Sequence, residues 1–143
     1  MSMLQPDIPE SRVLDLFAGS GALGLETLSR GAEHVTFVER GPPALRALRN
    51  NIDKLDAGAG VEIVKADALR FVEDLEPLAY DLALADPPYG QGIAAALISA
   101  FQRRRFAQSL WVEHGAQEVL PEVPDARTRR YGDTAITFIP VPE

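Results

Sequence analysis

The chain of 143 residues carries 21 acidic against 14 basic side chains, a net charge of −7, with 46% hydrophobic residues and no cysteine. That length sets one domain with one substantial core, and the missing cysteines exclude disulfides, thiolate metal sites and a cysteine nucleophile. No apolar run approaches a membrane span, the cysteine count fits a cytoplasmic protein, and the acidic balance opposes non-specific attraction to nucleic acid.

Pro6 and Pro9 keep residues 1–12 out of a helix and make them a lead-in loop. Residues 13–17 have strand character and break into a turn of small residues, Ala18-Gly19-Ser20-Gly21, before residues 22–28 take up helical spacing. Gly31 stops that helix, and His34 opens a second strand ending at Glu39. Residues 42–55 place Ala44, Leu45, Leu48, Ile52 and Leu55 at helical spacing, and Gly58-Ala59-Gly60 ends the run. Residues 61–64 form a short third strand, and residues 68–75 a helix of about two turns behind Asp67.

Residues 80–85 are the fourth strand and run directly into Asp86-Pro87-Pro88-Tyr89. A helix over residues 92–105 follows, then a fifth strand over residues 109–113 centred on Trp111. Residues 127–131 and 134–139 read as two strands joined by the two-residue connection Gly132-Asp133. Strands alternating with helices imply an α/β fold, a mostly parallel seven-stranded sheet with helices on both faces and an antiparallel hairpin at the C-terminal end.

Ligands gather beyond the carboxyl ends of the strands of such a sheet, near the switch in strand order. Asp15 with its glycine loop, Glu39, Asp67 and the Asp86 segment all fall at those ends. Gly19, Gly21 and Gly24 with Glu39 also spell a dinucleotide fingerprint. A pyrophosphate would meet the Asp15 carboxylate there, with no Lys or Arg in residues 13–29 to offset it. A cationic ligand without phosphate fits better, and S-adenosylmethionine is one. Glu39 is placed to accept from the ribose hydroxyls. Asp67 is placed to accept from an adenine amino group, and is read equally as a helix cap.

Two consecutive prolines fix the backbone after Asp86 and remove two N–H donors, so the segment presents acceptors: the Asp86 carboxylate and the Pro87 carbonyl. That suits an amino group, and Tyr89 adds an aromatic face for a flat base. His34 and His114 are read as neither ligand nor base; Trp111, Phe37 and Phe138 are read as core, and Asn50-Asn51 as facing water. The arginines at 103–105 and at 127, 129 and 130 are read as solvated faces, with RNA contact as the alternative.

The stretch at residues 15–26 together with Asp86-Pro87-Pro88-Tyr89 resembles the class I S-adenosylmethionine-dependent methyltransferases. More narrowly, it resembles the family that methylates the 2-amino group of a guanine in small-subunit (16S) ribosomal RNA. The resemblance covers essentially the whole chain, including Leu28-Ser29-Arg30-Gly31-Ala32 and Trp111-Val112-Glu113. It implies that Asp15, Phe17, Ala18, Gly19, Ser20, Gly21, Glu39 and Arg40 hold the methyl donor, and that Asp67 and Ala68 meet its adenine. It also implies that Asp86, Pro87, Pro88 and Tyr89 hold the flipped guanine, with ribosomal RNA or the small-subunit particle as partner, no metal and no membrane, and the protein a monomer. Family members carry a basic segment and a helix ahead of the first strand; Met1-Ser2-Met3-Leu4 stands where the tail of that helix is expected, so the chain reads as N-terminally short. The other classes this sequence leaves open are a methyltransferase for a DNA adenine or a protein glutamine amide, and a nicotinamide-dependent oxidoreductase.

Overall fold

The computed structural model describes residues 8–142, and the expectation for the start of the lead-in loop falls outside them. The elements follow in the order β1 (Arg12–Leu16), α1 (Ala22–Ser29), β2 (His34–Glu39), α2 (Pro42–Lys54), β3 (Val61–Lys65), α3 (Ala68–Glu73), β4 (Tyr80–Ala85), α4 (Ile93–Arg103), β5 (Ala107–Gly115), β6 (Arg127–Tyr131) and β7 (Thr134–Ile139). They form one seven-stranded sheet in the order β3-β2-β1-β4-β5-β7-β6. The first five strands in that row pair in parallel; β5–β7 and β6–β7 are antiparallel. The expected architecture is the one found.

Parallel strands need crossover connections, and here the crossovers leave on both faces. On one face Leu25 of α1 and Leu48 and Ile52 of α2 bury against Val13, Val35, Phe37, Leu82, Leu84, Trp111 and Phe138. On the other, Val72 of α3 and Leu97, Ile98 and Phe101 of α4 bury against Leu14, Leu16, Val38, Ala83, Ala85, Leu110 and Val112. Central strands buried on both faces lose the alternation of apolar and polar residues, which is why β4 reads as an unbroken apolar run over residues 82–85 and β1 as one interrupted only by Asp15 over residues 13–16. Trp111, Phe37 and Phe138 are core, as expected.

Several boundaries differ from expectation. Phe17 is not in β1: it takes a left-handed φ of 57°, so the chain turns one residue earlier. Leu55 sits at the C-cap of α2 and is exposed rather than packed. The third helix stops at Glu73, two residues short of the expected end, and α4 starts and ends inside its expected bounds. β5 is nine residues long because Ala107 pairs with Tyr80 at one end and Gly115 with Thr134 at the other, contacts that only the assembled sheet supplies. Arg105 is not solvated: its guanidinium donates to the carbonyls of Gln108 and Pro140 at 2.8 and 2.6 Å and lies 4.8 Å over the Phe101 ring.

Gly24 fixes how closely α1 approaches the sheet. A Cβ there would stand 2.4 Å from Cε1 of the fully buried Phe37 and 2.9 Å from an Asp15 carboxylate oxygen. Alanine gains helix propensity of about 1 kcal/mol, but overpacking a rigid contact of this kind costs about 1–3 kcal/mol. Gly24→Ala is therefore expected to lower the urea midpoint of unfolding, and a raised midpoint would contradict the packing described here.

Candidate active site

The sheet order reverses between β1 and β4, and the ends of these two strands frame a crevice. It is a cleft of about 620 Å³ walled by Phe17, Gly19, Glu39, Arg40, Gly41, Asp67, Ala68, Asp86, Pro87 and Pro88, with Val38, Ala66, Leu69, Gln91 and Ile93 completing it. The volume lies in the range that encloses a small-molecule ligand. Gly19 and Asp86, brought from opposite halves of the chain, line the same space.

The glycine loop is held by two side chains, Glu39 and Asn51. Phe17, Gly19 and Gly21 take positive φ values of 57°, 58° and 84°, which coil the backbone so that Gly21 N–H donates to the Ala18 carbonyl at 2.8 Å. Glu39, at the end of β2, accepts from Gly19 N–H at 2.8 Å through one carboxylate oxygen and from Arg40 and Gly41 N–H at 3.0 and 2.9 Å through the other. Three backbone donors thus fix an acidic side chain in the cleft wall. Asn51 on α2 donates to the Ser20 carbonyl at 2.9 Å, so it does not simply face water; nothing within a helical run signals that distant partner.

Asp15 is not at the mouth of the loop. It is buried behind it, where its carboxylate accepts from Gly24 N–H at 3.0 Å and ties the start of α1 to β1. Burial, only partly offset by the Gly24 bond, and the nearby Asp86 and Glu39 charges push its carboxyl up to about 8. Ala18, Ser20 and Gly21 are not among the residues that line the cleft. Asp67 does cap α3, accepting from Arg70 N–H at 3.1 Å, and its other oxygen stands 3.5 Å from the exposed Arg40 guanidinium. Cap and cleft-wall residue are one here.

Beyond β4, Asp86 lies on the solvent side of the cleft and Pro87 is buried. The wall behind Asp86, and then Glu113 of β5 through a hydrogen bond and its charge, push the Asp86 carboxyl up to about 7. Tyr89 bonds by its hydroxyl to Glu113 Oε2 and Thr134 Oγ1, both at 3.2 Å, and its ring stays partly exposed. Glu113 is a residue that sequence reasoning passed over, because only the β4–β5 register sets it beside Asp86: Ala85 pairs with Val112, one step before each. His114, its neighbour, points to the other face, where Nε2 meets Thr137 Oγ1 at 2.8 Å, and takes no part. Among the described residues no group of three or more His, Asp or Glu is arranged to hold a metal ion, and no helix is long and apolar enough to cross a membrane.

A switch-point cleft with a glycine loop on one side and an acceptor segment after β4 on the other, on a parallel sheet extended by the antiparallel strands β7 and β6, defines a class I S-adenosylmethionine-dependent methyltransferase. More specifically, the chain belongs to the family described as Conserved hypothetical protein 95, which matches residues 1–140. It is 32% identical over 124 residues to ribosomal RNA small subunit methyltransferase D of Escherichia coli, with 85% of this chain and 62% of that one covered. A solved Streptococcus pyogenes structure described as a conserved hypothetical protein superposes with a TM-score of 0.83 at 30% identity, covering 96% of this chain and 89% of that one. The RNA methyltransferase from Salinibacter ruber in complex with S-adenosyl-L-homocysteine superposes with a TM-score of 0.74, covering 99% and 89%; at 15% identity it shares the fold alone. The chain thus spans less than two thirds of the length of the Escherichia coli relative.

The buried Asp15 makes stability fall with rising pH. Its carboxyl titrates near 4 in the unfolded chain and near 8 when folded, so the folded state binds the extra proton between those values and loses stability as the pH rises through them. The limiting slope is about 1.4 kcal/mol per pH unit. Denaturant unfolding followed between about pH 5 and about pH 8 should lose most of that fall in Asp15→Asn, the remainder belonging to Asp86. Equal slopes in both proteins would show that Asp15 is not buried as described.

Proposed function

We propose that the protein transfers a methyl group from S-adenosylmethionine to the exocyclic 2-amino group of a guanine in small-subunit ribosomal RNA, acting on the RNA or on the ribosomal particle. The observation that carries this reading is the placement of Asp86 and Pro87 across one cleft from Gly19 and Glu39. The similarity to the Escherichia coli ribosomal RNA small subunit methyltransferase D supports the RNA class.

The residues present suit this donor. Glu39, immobilised by three N–H groups, offers an acceptor to a ribose diol, and Gly19, which has nothing within 4 Å of where a Cβ would stand, leaves the backbone open to a ligand. Val38, Ala66, Ala68 and Leu69 give an apolar slot for an adenine, with Asp67 at its edge. Asp15 acts from behind by tying the start of α1 to β1, and Phe17, Ala18, Ser20 and Gly21 give the loop its shape. S-adenosylmethionine supplies an electrophilic methyl group on a sulfonium, which an acidic cleft tolerates and a basic one would repel.

The amine side follows from Asp86. A guanine amino lone pair is delocalised into its ring, so it attacks poorly unless its two hydrogens are held. The Asp86 carboxylate and the Pro87 carbonyl accept those hydrogens and turn the lone pair toward the donor side of the cleft. As the new N–C bond would form, the bond from that methyl carbon to sulfur would break with its electron pair left on sulfur as the thioether of S-adenosylhomocysteine, and one amino proton would pass to Asp86, whose affinity for a proton near neutrality suits a general base. Tyr89, anchored at its hydroxyl by Glu113 and Thr134, presents its ring for the base to stack on once it leaves the helix.

Transfer requires Asp86 in its ionised form, so the rate should rise with pH through about 7. Asp86→Asn should lose on the order of 100-fold or more in transfer rate, within the range of a positioned base, while keeping its fold and its affinity for S-adenosylhomocysteine. Glu113→Gln removes the like charge beside Asp86 and should move the acid limb of the profile to lower pH. Methyl transfer to a 16S rRNA fragment, assayed with labelled donor across the pH range, reads both. An Asp86→Asn protein as active as the parent, or an unmoved limb in Glu113→Gln, would contradict the assignment, and label appearing in DNA or protein glutamine instead of RNA would move the substrate class.

A further inference from the structure

We infer that β6, at the outer edge of the sheet, grips the phosphates of the RNA that flanks the target base, through Arg127, Arg129 and Arg130. The inference rests on the ribosomal RNA reading above and adds where that RNA lies on the molecule.

All five residues of β6 are exposed, and three of them are arginines in a chain whose net charge is −7. The arginine ion pairs among the described residues engage Arg12, Arg30 and Arg40; Arg127, Arg129 and Arg130 enter none. A guanidinium without a carboxylate partner keeps its planar fork of donors available, and that fork matches a phosphate.

The register carries this strip to the catalytic loop. Across β6–β7, Arg127 faces Phe138, Arg129 faces Ile136 and Tyr131 faces Thr134. Across β7–β5, Phe138 faces Trp111, Ile136 faces Glu113 and Thr134 faces Gly115. Directly paired residues share a face, so Arg127, Arg129 and Tyr131 emerge on the face that carries Glu113 and Thr134. Those two residues hold the Tyr89 hydroxyl. Arg129 therefore stands two strand spacings, about 10 Å, from Glu113 on the same side of the sheet. Arg130 lies on the opposite face with Thr128, so the edge presents cations to a strand wrapping around it. An RNA whose flipped base stacks on Tyr89 would run its neighbouring phosphates along this edge, the basic strip that continues from the site.

Charge on an edge strand also serves to block pairing with another chain, and that role is indifferent to sign. The triple variant Arg127→Glu/Arg129→Glu/Arg130→Glu keeps the edge charged while reversing what it attracts. Titration with S-adenosylhomocysteine should give the same affinity as the parent protein. Filter binding of a 16S rRNA fragment near 0.1 M salt should weaken tenfold or more, and the slope of log affinity against log salt should shrink by ~2, from ~0.7 per phosphate contact on a single strand. The corresponding triple Lys variant should retain most of the affinity and the slope. A Glu variant that binds donor and RNA like the parent overturns this inference and leaves the methyltransferase reading standing. A parent protein that binds donor but no rRNA fragment overturns both the RNA substrate and this surface. If the triple Glu variant loses donor binding through misfolding, the single Arg129→Glu variant carries the test, with a smaller loss expected and wild-type RNA affinity again overturning it.

Discussion

A parallel sheet sends its crossovers to both faces, and where the winding reverses no connection can run across the carboxyl ends of the strands. In this chain the reversal falls between β1 and β4. Everything functional follows from that opening. The turn after β1 must coil away through Phe17, Gly19 and Gly21, the turn after β4 must leave as a rigid proline segment, and the space between them is the cleft. Glu39, from the strand beside β1, reaches back to seize the loop and so makes the opening a shaped site.

The electrostatics of the site are one-sided. Asp15, Glu39, Asp86 and Glu113 converge with no buried cation among them, and the repulsion is relieved by protons: Asp15 and Asp86 both hold theirs far above the usual carboxylate range, Asp15 chiefly through full burial, Asp86 through partial desolvation against the cleft wall and then Glu113. Such a set resists an anionic ligand and favours a positively charged one. The arginines of β6 are kept apart from it on the sheet's edge. On the proposed function, that separation of sign would let a cationic donor and a polyanionic acceptor be recognised by the same small domain, each by the end that suits it.

Much of the architecture was legible in the sequence because its signals are local: apolar runs bounded by glycine, helical spacing after each, and Asp86-Pro87-Pro88-Tyr89 directly behind a strand. The four acidic positions at strand ends were legible for the same reason. What was not legible depends on register and depth. In a strand buried on both faces, Val13, Leu14, Asp15 and Leu16 show no alternation, so nothing indicated that Asp15 points inward to Gly24 instead of outward to a ligand. Glu113 looks like any acid near the end of a strand until β5 is laid beside β4, and Asn51 like any polar residue on a helix until Ser20 arrives opposite it. The left-handed Phe17 runs against the ordinary preference of an aromatic residue, and only the loop it begins demands it.

The account stands or falls on a preformed acidic cleft that takes a cationic methyl donor. Titration calorimetry with S-adenosylmethionine tests it most directly. The prediction is one saturable site per chain, with affinity rising from about pH 6 to about pH 8 as Asp15 and Asp86 ionise. The absence of saturable heat throughout that interval, or an affinity that falls as those carboxyls lose their protons, would contradict it.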